Sequence, residues 1–271
     1  MITAKIIQDS LSPAGVRITT MELEYPRFIH SEFMTHRVFS RNAASSRAIP
    51  IAKMMQQVLD NPAMPVHWGA NQAGMQAGEE IQNPQHAQAA WVVAAKAAVE
   101  SAKNLQAHGL HKQIVNRVLE PFQMMKTVVT ATEWDNFFEL RNHKDAQPEI
   151  QELARKMKLE MDCSEPMQLR IDEWHVPYVT RGTKLGKVVY SVNDELISAE
   201  QALKVSASCC AQVSYRLLDD SLEKADFVYD KLVTSRPIHA SPFEHQGMAT
   251  PDTQFSGNLR GFLQYRKTLE V

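Results

Sequence analysis

The chain has 271 residues, 44% of them hydrophobic, enough to build a substantial core without disulfide or metal staples. Basic and acidic residues nearly cancel, 29 against 31 for a net charge of -2. That balance excludes a global attraction to nucleic acid or to an anionic membrane, so any anion site must be local.

In chain order, residues 4–7 and 17–23 predict a strand pair joined by a turn at Ser12-Pro13-Ala14-Gly15. Pro26 is placed to start a helix carrying Ile29, Phe33 and Met34 toward the core. A short helix over 51–59 should stop at Asn61-Pro62, and the Gly-, Gln-, Asn- and Pro-rich stretch 62–84 reads as an extended surface loop. Ala87, Trp91, Ala94, Ala98, Ala102 and Leu105 recur at helical steps from Pro84, with Gly109 suited to the stop. A helix over 112–119 should carry Arg117 and end before Pro121. The β-branched run Thr127 to Thr130 predicts a strand over 126–131. A helix over 133–140 delivers Asn136 and Arg141. Pro148 opens another, with Ile150, Leu153, Ala154, Met157 and Met161 on one face.

Residues 163–197 alternate turns and short strands, at 174–179 and 187–192. Ser198 with Gln201 forms a capping box for a helix to about Leu218, and a last helix is expected over 222–234. No repeat, low-complexity linker or charge block divides the chain, so one α/β (α+β) domain over 1–271 is expected. The cysteines Cys163, Cys209 and Cys210 are odd in number and have no metal-ligand spacing, which points to a reducing compartment and no metal. The N-terminus lacks the apolar core of a signal peptide, and the apolar stretch 89–99 contains Lys96 and is too short to span a bilayer. A cytoplasmic protein with no membrane partner is expected.

Chemistry concentrates in residues 34–50. His36, Arg37, Ser40, Asn42, Ser45 and Arg47 put imidazole, guanidinium, hydroxyl and amide groups into one loop. Such a loop suits a phosphate monoester, because hydroxyl and backbone N–H donors crowd the anion while a guanidinium forks onto two of its oxygens. By composition alone the loop could equally solvate a surface. An RNA-binding role is disfavoured by the near-neutral charge and the lack of a basic aromatic stripe.

The spacing His-Arg-x-x-Ser-x-Asn-x-x-Ser-x-Arg resembles the signature of the flavin-dependent thymidylate synthases, the ThyX family, whose preceding Arg is Thr35 here. Four further segments are similar to family motifs: Asn116-Arg-Val-Leu-Glu-Pro121; Thr132 to Arg141 with Asp145-Ala-Gln-x-Glu149; Ala211-Gln-Val-Ser-Tyr215; and His239-Ala-Ser-Pro-Phe-Glu-His245. The last two precede the Ser/Arg motif in the usual ThyX chain and follow it here. That is the order a circular permutation gives, as in a divergent, phage-carried branch.

The resemblance implies a small central sheet flanked by long helices and a homotetramer with sites shared between subunits. It implies reductive methylation of dUMP at C5 to dTMP, with FAD as cofactor and methylenetetrahydrofolate and NADPH as co-substrates. By position, Arg141 would stabilise the deprotonated uracil imide, and Glu32, Ser45, Ser46, Arg47 and Arg117 would bind the nucleotide. His36, Arg37, Val38, Asn136, Ser214, His239, Ser241 and Glu244 fall on flavin-side positions. No cysteine lies in a family motif, which suits a mechanism without a thiol nucleophile.

There are departures. Thr35 and Ala43 replace an Arg and a Glu, Glu32 replaces a Gln at the nucleotide, and Thr130 and Thr132 stand where the family has flavin-side Asn and Arg. They leave open a relative that methylates or hydroxymethylates dCMP, and one that binds nucleotide or flavin without catalysis. Arg260 and Arg266, in the segment Phe255 to Lys267, are the expected substitutes for the cation missing at Thr35.

Overall fold

The computed structural model describes residues 1–214 and 218–269, and only the backbone of Ser214. The hairpin β1 (Thr3–Leu11) and β2 (Arg17–Pro26) forms as the alternation predicts, with Gly15 at φ +76° closing its turn. β2 runs into a 3-10 turn (Arg27–Ile29) and the single-turn helix α1 (His30–Phe33). Ile29 and Phe33 are buried as expected, but Met34 is 42% exposed, because the helix ends before its side chain can turn inward.

The motif loop contributes β3 (Ser40–Ala43) and is followed by α2 (Ile51–Asp60) and α3 (Pro84–Ala107). The expected 112–119 helix is only one turn of α, α4 (Lys112–Val115), and continues as a 3-10 helix over Asn116–Phe122. Pro121 lies inside this 3-10 stretch rather than beyond its end, and without an N–H it leaves one of the stretch's three-residue hydrogen bonds unmade.

β4 (Met124–Ala131), α5 (Asp135–Arg141) and α6 (Pro148–Cys163) follow. With β5 (Met167–Gln168) they complete a five-stranded sheet of order β3-β4-β2-β1-β5, antiparallel except for the short β1–β5 pair. The stripe Ile150, Leu153, Ala154, Met157 and Met161 of α6 buries against Met21, Leu23, Tyr25 and Val129 on one sheet face.

Beyond the sheet lie β6 (Trp174–His175), a meander of β7 (Thr180–Lys184), β8 (Lys187–Val192) and β9 (Glu195–Ile197), then α7 (Ala199–Ala211) and α8 (Leu222–Thr234). The capping box at Ser198 and Gln201 is present. However, α7 stops at Ala211 and gives way to a 3-10 turn, short of the expected Leu218. β10 (Gly247–Ala249), β11 (Phe255–Ser256), β12 (Leu259–Arg260), β13 (Phe262–Gln264) and α9 (Tyr265–Leu269) form the C-terminal part. β10 pairs with both β6 and β13, drawing the end of the chain back toward its beginning. The architecture is a mixed α/β fold, as the sequence predicts.

Candidate active site

The loop from α1 to β3 is held by its own arginine. Arg41 Nη1 donates to the carbonyls of Phe33 (3.3 Å), Met34 (3.1 Å) and His36 (3.0 Å). Phe33 and Met34 close the C-terminal end of α1, where a cation also meets the negative end of the helix. His36 is thereby turned inward and is only 6% exposed, stacked on Phe39 and edge-on to Phe137 at a centroid distance of 4.9 Å.

Burial, with Arg141 and then Arg41 beside it, pushes the His36 pKa down to about 4, so the ring is neutral at pH 7. Its Nε2 accepts from Arg141 Nε at 2.9 Å, which leaves the ring proton on Nδ1.

Arg141, the last residue of α5, gathers this loop. Its Nη1 is paired with the Glu32 carboxylate and its Nη2 donates to Thr35 Oγ1 at 3.4 Å. Arg141, with Leu140, lines two cavities. One, of ≈1220 Å³, is lined by Phe28, Glu32, His67, Trp91, Arg141 and Glu149 among others. The other, of ≈540 Å³, includes Thr35, His36, Arg37, Val38, Asn136 and Arg141 in its lining. Glu149 shapes the larger cavity from the first turn of α6. Its carboxylate accepts from Val66 N–H at 2.9 Å and from Gln147 Nε2 at 3.2 Å, pinning the 62–84 loop against the helix.

The remaining residues expected at the nucleotide form a separate cluster. Asn116 is fully buried, and its Nδ2 donates to the carbonyls of Ser46 (2.7 Å) and Ile49 (3.0 Å). This clamp sets Ser45, Ser46 and Arg47 beside the 3-10 helix that bears Arg117. Arg47 and Arg117 are both exposed, and none of the four residues lines either cavity.

The late residues expected at the flavin lie elsewhere again. The Ser241–Glu244 turn packs against β3, so the end of the sequence meets the Ser/Arg motif near its beginning. Glu244 is paired with Arg266, while His239 and Ser241 are exposed and line neither cavity. The side chain of Ser214 lies outside the described residues, as do residues 215–217, which include Tyr215 of that segment.

The C-terminal hairpin docks onto the motif loop through Asn258. Its Nδ2 donates to Val38 O at 2.8 Å and to Ser40 Oγ at 3.0 Å, and its Oδ1 accepts from Gln264 Nε2 at 2.7 Å. Gly257, at φ +63°, permits this: the Gln264 carboxamide occupies the space where a Cβ would sit. Arg260 reaches the rim of the smaller cavity and pairs with Glu133 there, while Phe255 lines it directly.

Thr130 and Thr132 do not face either cavity. Thr132 Oγ1 accepts from the Arg260 N–H at 2.9 Å. Thr130 belongs to a buried chain of hydrogen bonds across the sheet. It runs from His245 Nδ1 to Thr130 Oγ1 (2.8 Å), to Thr20 Oγ1 (2.7 Å), to His175 Nε2 (2.8 Å), and from His175 Nδ1 to Ser10 Oγ (2.9 Å). Burial pushes the pKa of both histidines down to about 3.

Arg41, Asn116 and Asn258, with Ser10, Thr20 and His175 of this chain, are positioning residues to which motif reading gave no role, whereas Thr130 and His245 stood at motif positions. Arg41 and Asn116 at least adjoin motif positions, whereas Asn258 and His175 carry no local signal. Among the described residues no cluster of His, Cys, Asp and Glu could hold a metal, and no helix is long and apolar enough to cross a membrane. The three cysteines are free, and burial pushes the Cys209 thiol up to about 12 and Cys210 well above its ordinary value.

No curated protein sequence matches the chain. Among solved structures, it is similar to the UMP/dUMP methylase PolB from Streptomyces cacaoi bound with 5-Br dUMP. The TM-score is 0.51 and the identity 17%, over 59% of this chain and 90% of that one. It is also similar to thymidylate synthase X (ThyX) from Helicobacter pylori with FAD and dUMP, at TM-score 0.40 and 15% identity, over 53% of this chain and 67% of that one. The family described as thymidylate synthase complementing protein matches residues 4–166, which take in the Ser/Arg motif, Asn116 to Pro121 and the α5–α6 block. The chain belongs to this family, that of ThyX.

Proposed function

We propose that the chain is a flavin-dependent enzyme that methylates C5 of a pyrimidine nucleoside monophosphate. The family form of the reaction converts dUMP to dTMP with FAD, methylenetetrahydrofolate and NADPH. One observation carries the proposal: Arg141, oriented by Glu32, His36 and Thr35, lines both cavities. A guanidinium so fixed meets a base edge without reorganising, which is the condition for electrostatic stabilisation of a reacting ring. A neutral His36 supports this, since it accepts from Arg141 instead of repelling it.

The smaller cavity has a donor set that fits a flavin: the Arg37 guanidinium, the Asn136 amide and the backbone around Val38. When bound there, a flavin supplies the hydride. The protein's own part is to hold the base against Arg141 and keep both groups oriented.

Ser45, Ser46, Arg47 and Arg117 are assigned to the nucleotide phosphate, and His239, Ser241 and Glu244 to the flavin. Because these residues lie outside the two cavities of one chain, a homotetramer with shared sites is part of the proposal. So are a circularly permuted order of motifs and a cytoplasmic location. A dCMP form of the reaction is a second reading, favoured by the carboxylate at Glu32.

The test is binding of FAD and nucleotide by the purified protein. Flavin absorbance that co-elutes with the protein and is bleached by NADPH, together with saturable nucleotide binding, supports the reading. Protein that binds neither refutes it.

A further inference from the structure

The Glu32–Arg141 pair has a base preference built into it. A guanidinium carries five N–H donors, of which Nε bonds His36, one on Nη1 bonds Glu32 and one on Nη2 bonds Thr35. One donor on each Nη is left over, and Arg141 and Glu32 both line the larger cavity, with Glu32 beside Nη1. Read along this edge, the protein therefore offers donor, donor, acceptor. Both side chains are mostly withdrawn from water, at 21% exposure for Arg141 and 25% for Glu32, so mismatched groups there lack full solvent compensation.

The Watson–Crick edge of neutral cytosine reads acceptor, acceptor, donor: O2, N3 and the N4 amino group. It meets this surface at all three positions, with a carboxylate receiving the cytosine amino group. Uracil reads acceptor, donor, acceptor. Its N3–H would face a guanidinium N–H, and its O4 would face the carboxylate. Removing the N3 proton would cure the first clash, but the resulting imide anion would lie beside Glu32, whose charge already offsets that of Arg141. We infer that Glu32 is a specificity-determining residue and that, in the nucleotide site proposed above, it selects cytosine over uracil. The inference rests on that reading of the site.

The experiment is calorimetric titration of the FAD-supplemented protein with dCMP and with dUMP. These share phosphate and sugar, so their ratio isolates the base. The wild-type protein should bind dCMP at least roughly tenfold more tightly, the discrimination typical of one matched bidentate contact. In Glu32→Gln the carboxamide can donate to O4, and the ratio should shift toward dUMP by a similar factor. Equal or tighter binding of dUMP by the wild-type protein overturns the inference while leaving the nucleotide site intact, and so does an unchanged ratio in a folded Glu32→Gln variant. Binding of neither nucleotide overturns the site and the inference together. The wild-type ratio decides the matter even if the variant fails to fold.

Discussion

Asn116→Ala should separate the phosphate-loop assignment from a purely structural role. The side chain is fully buried and makes two donor contacts, to Ser46 O at 2.7 Å and Ile49 O at 3.0 Å. Truncation removes both donors and leaves two part-buried carbonyls without their partner, at roughly 1–3 kcal/mol for each group so abandoned. A loss of about 2–6 kcal/mol follows if the loop stays in place, equivalent to a fall in Tm of roughly 4–24 °C for a chain of this size. If the loop swings out to water instead, the stability loss shrinks, but Arg47 leaves the neighbourhood of Arg117. The assay is therefore paired: thermal unfolding, and calorimetric titration with dUMP and dCMP. Either Tm or nucleotide affinity must fall, and a lowered affinity with a nearly native Tm marks the loop as the phosphate element. A variant unchanged in both refutes the clamp and the role assigned to it.

Arg47→Ala and Arg117→Ala should each weaken nucleotide binding by the worth of a charge-assisted contact, about 1.5–3 kcal/mol, with little change in Tm because both side chains are exposed; undiminished titration curves for both would remove them from the site. Arg141→Lys should bind nucleotide less well and turn over far more slowly, because an ammonium cannot hold Glu32, His36 and Thr35 while forking onto a base; near-native turnover would exclude Arg141 as the activating group. Cys163→Ala, Cys209→Ala and Cys210→Ala should each keep most activity per folded molecule, since burial holds the Cys209 and Cys210 thiols protonated and no cysteine lies in a family motif; abolished turnover in one folded variant would demand a thiol nucleophile. Finally, stability should fall on acidification. His175 and His245 titrate near 6.5 when unfolded but at about 3 in the fold, so their stabilising effect is complete above pH about 6.5 and is lost as pH falls toward 3, at up to ~1.4 kcal/mol per pH unit for each. A Tm that stays flat between about pH 7 and pH 4 would contradict the buried neutral pair.

Local signals carried most of the secondary structure. The β-branched run at Thr127 to Thr130, the Ser198–Gln201 capping box and the apolar stripe of α6 each became the element they encode. Failures came where tertiary context took over. Pro121 is tolerated inside a 3-10 helix, and α7 ends early. The placement of Arg141 beside Glu32 and His36 was foreshadowed by motif membership, because motif residues are the ones a site must bring together. Thr130 shows the limit: its motif position suggested the flavin, but its register opposite Thr20 and its bond to His245 fix it inside the protein. Neither Asn258 reaching Val38 nor Asn116 reaching Ser46 could be read from neighbours in sequence, since each bond is made by the folded chain.

The central claim is C5 methylation of a pyrimidine nucleotide by a flavin-dependent route. Its most direct test is a product assay with purified protein, FAD, NADPH, isotopically labelled methylenetetrahydrofolate and either dUMP or dCMP, read by mass spectrometry of the nucleotide. The account predicts a nucleotide carrying the labelled carbon on C5, formed only when flavin and reductant are both present. Unmodified nucleotide from protein shown to bind both FAD and the nucleotide, or labelled product formed equally well without flavin, would contradict it.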